Sequence, residues 1–156
     1  LAATRQGLYA LSFPTFGPER RGAPISGFTK LNDAPIRDRS EIELPDVVVV
    51  LDPSLETLAS RRGGQSARWY LVNRPGPFVR RDEGVRCRME LDASGLAERR
   101  LGRRIANTAM LGALAAATRW IEFSTLEWAL ERELKVAHRA ANLEVLRAGF
   151  DEVRHG

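Results

Sequence analysis

Asp46-Val-Val-Val-Val-Leu-Asp52 constrains what this chain can fold into more than any other stretch. Four consecutive valines, β-branched and unbroken by a polar residue, suit a strand buried on both faces, as in the parallel sheet of an α/β domain. Asp52-Pro53-Ser54 follows at once. Asp52 suits a helix N-cap and Pro53 the first helical position, which predicts a short helix over residues 53–60. Residues 69–73 read as a second central strand, ended by Pro75-Gly76-Pro77. Residues 85–91 alternate Val85, Cys87, Met89, Leu91 with Arg86, Arg88, Glu90. One apolar and one charged face place that strand at or near a sheet edge.

The last third is helical in pattern. Asp92 can cap a helix over 93–101, Asn107 one over 108–117, and Ser124 one over 125–134, with Glu127 completing a capping box. The second is apolar on nearly every side and carries Gly112 among alanines, so it packs closely against neighbours. A final helix over 136–153 sets Leu143, Leu146, Phe150 and Val153 on one stripe. Strands alternating with helices predict an α/β fold: three layers, α/β/α, with a largely parallel sheet and a helical C-terminal third. Nothing repeats internally, and residues 1–156 read as a single domain.

The N-terminal part is less regular. Residues 1–6 read as the last turns of a helix stopped by Gly7. Residues 8–13 read as a short buried strand. Ser12-Phe-Pro-Thr-Phe-Gly-Pro-Glu-Arg-Arg-Gly-Ala-Pro24 is then a loop, with Gly17, Pro18, Gly22 and Pro24 restraining the backbone around Glu19-Arg20-Arg21. It is either a solvated connection or a presented cluster of guanidinium donors for an anionic ligand or a partner surface. Residues 25–31 alternate as a strand, Asn32-Asp33 is a turn signal, and residues 34–37 are a candidate returning hairpin arm.

Several chemistries are excluded. One cysteine, Cys87, permits no intrachain disulfide and cannot hold an iron–sulfur cluster, which takes about four protein ligands. It falls on the apolar face of its strand, where a thiol is filler. His138 and His155 have no zinc spacing, and His138 reads as a surface residue. No nucleophile elbow and no Walker A sequence is present. Gly63-Gly64-Gln65 precedes a strand, whereas phosphate cradling needs a glycine loop that opens a helix. The basic residues are 22 arginines and 2 lysines, scattered and without interleaved aromatics, so no nucleic-acid surface is expected. The longest apolar stretch, residues 105–118, is too short to span a bilayer, and no secretory signal pattern opens the chain. The chain reads as cytoplasmic, with no membrane partner.

Three positions lie where α/β domains bind ligands, at the carboxyl ends of strands: the loop from Pro14, Asp52 and Asn73. Asp52 competes as a cap and Asn73 as a turn residue. Asn107 and Thr108, preceded by Arg103 and Arg104, offer either a helix N-terminus with guanidinium groups for a phosphate or a capped helix with solvated arginines.

The loop over 12–24, then Leu31-Asn-Asp-Ala-Pro-Ile36, Pro45-Asp-Val-Val-Val-Val-Leu-Asp-Pro53, Ala106-Asn-Thr-Ala-Met-Leu-Gly-Ala113 and Asn142-Leu-Glu-Val-Leu-Arg-Ala-Gly-Phe150 resemble, in order, blocks of the gamma subunit or gamma domain of the 2-oxoacid:acceptor oxidoreductases, the pyruvate:ferredoxin oxidoreductase family. The resemblance implies a three-layer domain in a multisubunit enzyme that oxidatively decarboxylates a 2-oxoacid, usually to an acyl-coenzyme A, and passes electrons to ferredoxin or another acceptor. It implies alpha, beta and ferredoxin-like delta subunits as partners. Thiamine diphosphate with Mg and [4Fe-4S] clusters would sit in those partners, and this chain, itself not catalytic, would help form the coenzyme A side of a shared site. Glu19, Arg20 and Arg21 would meet the catalytic subunits or an anionic cofactor, with Asn107 and Thr108 second. The form of the loop is more like pyruvate or aryl-2-oxoacid members than the 2-oxoglutarate type. The family normally opens with a strand and a Gly-x-Gly-Gly-Gln-Gly loop, neither of which is found here. A free-standing nucleotide-binding or regulatory α/β domain is the competing expectation.

Overall fold

A computed structural model of the chain describes residues 1–15 and 24–156. They form two compact units, Leu1–Glu43 and Leu44–Gly156.

In the first unit, α1 (Ala2–Arg5) ends as the sequence predicts. Gly7 takes φ +79°, its N–H bonds the Thr4 carbonyl at 3.1 Å, and the Leu8 N–H reaches the Ala3 carbonyl at 3.0 Å. This paired closure of a helix end favours glycine at the left-handed position. β1 (Tyr9–Thr15) and β2 (Ser26–Asn32) then pair antiparallel, from Tyr9 opposite Asn32 to Thr15 opposite Ser26. β1 is not the buried strand its apolar run suggested. Leu11 and Phe13 alternate with Ala10 and Ser12, so only one face is half-buried, and Tyr9 is 48% exposed. Phe13 and Phe28 meet across the pair with ring centroids 5.7 Å apart. Residues 34–37 form no strand. Instead Lys30 donates to Asp38 at 2.6 Å, and the Ser40 N–H caps the same carboxylate. These bonds, that to Lys30 first, hold the Asp38 carboxyl below the ordinary carboxylate range.

The second unit carries a four-stranded sheet in the order β3-β4-β6-β5. β3 (Val47–Val50), β4 (Trp69–Asn73) and β6 (Arg86–Leu91) are parallel, and β5 (Val79–Glu83) turns back against β6. Tyr70, Leu71 and Val72 are fully buried because β4 has neighbours on both edges and both faces. The four-valine strand corrects the sequence reading: among the described strands β3 lies at an edge, with Val49 36% and Leu51 50% exposed. An uninterrupted valine run specifies a strand but not how many neighbours it has.

Each face of the sheet is covered by helix. Over one face a 3-10 turn (Pro53–Leu55) leads into α2 (Glu56–Arg61), and Ala59 packs on Val50, Tyr70 and Val72. Over the other, Leu71, Cys87, Met89 and Leu91 form one core with side chains of α3 (Ala93–Leu101), α4 (Asn107–Thr118) and α6 (Val136–His155). α5 (Phe123–Glu133) packs on α6 through Phe123 and Phe150, 4.5 Å apart. The result is the expected α/β/α arrangement. α5 starts earlier than predicted, with Glu122 at its N-cap, so Ser124 lies inside its first turn.

α4 and α6 approach to backbone contact. A Cβ built on Gly112 would lie 2.0 Å from the Leu146 carbonyl oxygen, and one on Gly149 would lie 2.0 Å from the Ala109 carbonyl oxygen. Two glycines facing each other's helix permit that approach.

Candidate functional site

The carboxyl ends of β3 and β6 lead into the 3-10 turn and α3, with the end of β4 between them, where an open α/β sheet offers a ligand site. Asp52, at the end of β3, has extended backbone geometry, and its Oδ1 accepts the Ser54 N–H at 2.9 Å. The Ser54 side chain first, and its N–H second, hold the Asp52 carboxyl below the ordinary range, so it stays an anionic cap. Asp92, after β6, caps α3 likewise, accepting the Gly95 N–H at 2.8 Å.

Asn73, 6% exposed, is neither a turn residue nor a free ligand group. Its Nδ2 donates to the Leu51 carbonyl at 2.8 Å and to Ser94 Oγ at 2.9 Å, and its Oδ1 accepts the Ser94 N–H at 3.1 Å. One side chain thereby fastens the end of β3 to the start of α3.

Beside it lies a closed ring of four charges. Arg88 donates to Glu56 at 2.6 Å and to Glu90 at 2.8 Å, while Arg74 donates to Glu56 at 2.7 Å and pairs with Glu90 at 3.1 Å. The Arg88 hydrogen bond, foremost, holds the Glu56 carboxyl below its ordinary value against the opposing effect of burial. Arg86 lies over the Tyr70 ring, 4.7 Å from its centroid, with Arg88 at 5.4 Å. Chemically the ring joins α2 to β4 and β6 and carries no net charge. Glu56, with its carboxyl held low, is an ionised acceptor rather than a proton donor. Sequence reasoning missed it: Arg86, Arg88 and Glu90 were legible as a charged face, but Glu56 lies 32 residues before Arg88 with no spacing to announce the pairing.

Cys87 is buried, 8% exposed, as expected of its face. Burial, with the Asp82 carboxylate next, pushes its thiol up to about 11, so it is no nucleophile near neutral pH. Among the described residues no three His, Cys, Asp or Glu side chains are grouped to hold a metal ion.

Of the residues singled out from sequence, Glu19, Arg20 and Arg21 lie outside the described residues. Asn107 and Thr108 open α4, one position earlier than predicted, with Ala106 at the N-cap. Asn107 is exposed, and its Oδ1 accepts the Thr108 N–H at 2.9 Å. Thr108 Oγ1 bonds Asn142 Oδ1 at 3.2 Å, and Asn142 Nδ2 donates to the His138 carbonyl at 2.8 Å, which ties the start of α4 to α6. Of the two arginines before it, Arg104 is paired with Glu98. His138 is exposed, as read from sequence.

Against known proteins, residues 1–152 match the family model described as pyruvate ferredoxin/flavodoxin oxidoreductase. The chain belongs to that family. It is 36% identical over 155 residues to the pyruvate synthase subunit PorC of Methanothermobacter marburgensis, covering 99% of this chain and 86% of that one. It is 36% identical over 156 residues to the gamma subunit of the NADH-dependent phenylglyoxylate dehydrogenase of Aromatoleum evansii, covering 97% and 82%. The crystal structure of the pyruvate oxidoreductase subunit PORC of Thermotoga maritima superposes with a TM-score of 0.75 at 31% identity, over 96% of this chain and 83% of that one. Within the pyruvate ferredoxin/flavodoxin oxidoreductases, then, this is a chain of the gamma type, and as such a subunit of a 2-oxoacid oxidoreductase.

Proposed function

We propose that this gamma-type chain docks on the catalytic subunits of an enzyme that oxidatively decarboxylates a pyruvate-type or aryl 2-oxoacid, and that it forms the coenzyme A side of their shared site. The observation that carries the reading is near full-length similarity to gamma and PorC subunits, one from a pyruvate synthase and one from a phenylglyoxylate dehydrogenase. In this reading thiamine diphosphate in a partner subunit supplies the decarboxylation chemistry, iron–sulfur clusters in partners carry the electrons to ferredoxin or another acceptor, and the enzyme is cytoplasmic.

This chain's own part is binding and positioning. Glu56 and Cys87 are both held away from proton transfer, the first low and the second high. Two places suit an anionic cofactor. The segment Glu19-Arg20-Arg21 brings two guanidinium groups, whose forked donors match phosphate oxygens. The start of α4 adds helix N–H groups with no intrahelical acceptor, an exposed Asn107, and the Thr108 hydroxyl oriented by Asn142.

The test is to purify the tagged chain from its source cell. A brown complex containing the companion subunits is the expected result. A colourless monomer that binds a nucleotide would instead favour a free-standing regulatory domain. Within the complex, Arg21→Ala is expected to raise the KM for coenzyme A or to lower companion recovery, while the chain's own stability changes by only about 0.5 kcal/mol. Unchanged affinity, subunit content and turnover would remove the loop from the site.

A further inference from the structure

We infer that residues 53–63, the 3-10 turn with α2 and the two residues after it, form a strap over one face of the sheet, and that the strap opens as a unit while the rest of Leu44–Gly156 stays folded. The helices over the opposite face are anchored by buried side chains of their own: Leu96 and Ala97 of α3, Met110 and Ala113 of α4, Val145 and Leu146 of α6. Neither the 3-10 turn nor α2 buries a residue. Ala59 is the one side chain of α2 packed on the buried cluster beneath it. A helix of six residues cannot hold itself in water, where about 12–15 residues are needed.

Polar contacts hold the strap instead. Glu56 accepts from Arg88 at 2.6 Å and from Arg74 at 2.7 Å. The Tyr70 hydroxyl donates to the Glu56 carbonyl at 3.3 Å and bonds Ser60 Oγ at 3.4 Å. Beyond both ends the chain is fixed, with Val50, Gly64 and Ala67 all buried. The turns at the ends leave room to move. Asp52 is extended before Pro53, and Gly63 has φ +87°, a left-handed conformation that glycine adopts at no steric cost. The seat of the strap is close: a Cβ built on Gly64 would lie 2.5 Å from the Ala59 carbonyl oxygen.

Local opening of this kind belongs to elements with few buried apolar contacts. It lifts Ala59 from Val50, Tyr70 and Val72 and takes Glu56 from two arginines. Arg74 and Arg88 then share Glu90 alone, two guanidinium groups to one carboxylate. The closed ring is neutral, so the open form carries a positive charge toward the carboxyl ends of β4 and β6, where an open α/β sheet meets its ligands. The strap thereby sets the charge presented at that end of the sheet.

Hydrogen exchange of the full-length chain at pH 7, read amide by amide by NMR, tests this without any companion subunit, so its outcome is separate from the subunit reading. Four chains are compared: wild type, Glu56→Gln, Gly64→Ala and Gly112→Ala. In wild type the N–H groups of α2 and of Arg62, which bonds the Leu58 carbonyl at 3.1 Å, are expected to exchange at one common rate, corrected for sequence, at least tenfold faster than those of α3, α4 and α6. Glu56→Gln removes an acceptor of the strap and Gly64→Ala crowds its seat, so each should speed that exchange by about tenfold. Gly112→Ala perturbs the contact of α4 with α6, which strap opening leaves intact. It should speed exchange in α4 and α6 and leave α2 unchanged. Protection of α2 equal to that of α3, or a response to Gly112→Ala as large as that of α6, would mean that α2 is released only by global unfolding and would overturn the strap. Unequal rates along α2 would show fraying in place of a unit and also overturn it. Unchanged α2 exchange in Glu56→Gln would overturn charge as what holds the strap closed.

Discussion

Gly112→Ala is the sharpest perturbation of the helical layer, because helix propensity and packing predict opposite signs. In an exposed helix the change to alanine stabilises by about 1 kcal/mol. Here the new methyl would lie 2.0 Å from the Leu146 carbonyl oxygen and 2.9 Å from the Phe150 nitrogen. Carbon–oxygen contacts begin at about 3.3 Å. The obstructing atoms are backbone of α6, so no side chain can rotate away, and the helices must separate by roughly 1 Å. Overpacking of this kind costs about 3 kcal/mol at the upper end of its usual range. After subtraction of the propensity gain, a net destabilisation of about 2 kcal/mol remains. Gly149→Ala meets the Ala109 carbonyl at the same 2.0 Å and is expected to cost the same. One separation of the helices relieves both clashes, so the double variant should fall short of the summed effects by about 1 kcal/mol. Urea titration followed by circular dichroism measures all three. The thermal midpoint of each single variant should fall by roughly 4–8 °C for a chain of this length. A Gly112→Ala chain as stable as wild type, or more so, would refute the backbone contact between α4 and α6.

Glu56→Gln removes one acceptor corner of the ring formed with Arg74, Arg88 and Glu90, whose Glu56 side chain is 24% exposed. Allowing for that solvent access, the expected loss is about 1–2 kcal/mol at pH 7 by urea titration. The folded carboxyl is held below its ordinary value of 4.5, so the contribution is complete above about pH 5 and is lost as pH falls through the lower folded value. Wild type and variant should therefore converge in acid, and a gap independent of pH would count against the pairing. For Cys87, with its thiol near 11, about one molecule in a thousand carries thiolate at pH 8. Alkylation by iodoacetamide should be at least a hundredfold slower in the native chain than in urea, whereas equal rates would place the thiol outside the core.

The parts of the fold legible in sequence are those with local causes. Gly7 closes α1, Asp92 caps α3, and the two faces of β6 follow from strict alternation. The four valines of β3 announce a strand, but its place at an edge depends on which strands lie beside it. β5 escaped notice because four of its five residues are charged, and backbone pairing with β6 rather than a buried face holds it in the sheet. Residues 8–13 misled in the opposite direction, since a short apolar run is also what a half-buried ribbon shows. On α6 the stripe of Leu143, Leu146, Phe150 and Val153 was visible, whereas Gly149 was not, because its contribution is an absent side chain. At the candidate site the helix start was legible to within one residue, but Asn107 is its first residue rather than its cap: Ala106 takes the N-cap and no side chain caps it. The Asn73 fastening and the Glu56–Arg88 pair join residues more than 20 positions apart and leave no local trace.

The central claim, a gamma subunit serving 2-oxoacid oxidation, is tested most directly by dye reduction. The complex purified through a tag on this chain would be given pyruvate or phenylglyoxylate with oxidised viologen, with and without coenzyme A. The account predicts reduction that requires one of these 2-oxoacids and is accelerated by coenzyme A. A complex that contains the companion subunits yet reduces the dye with neither acid would contradict it.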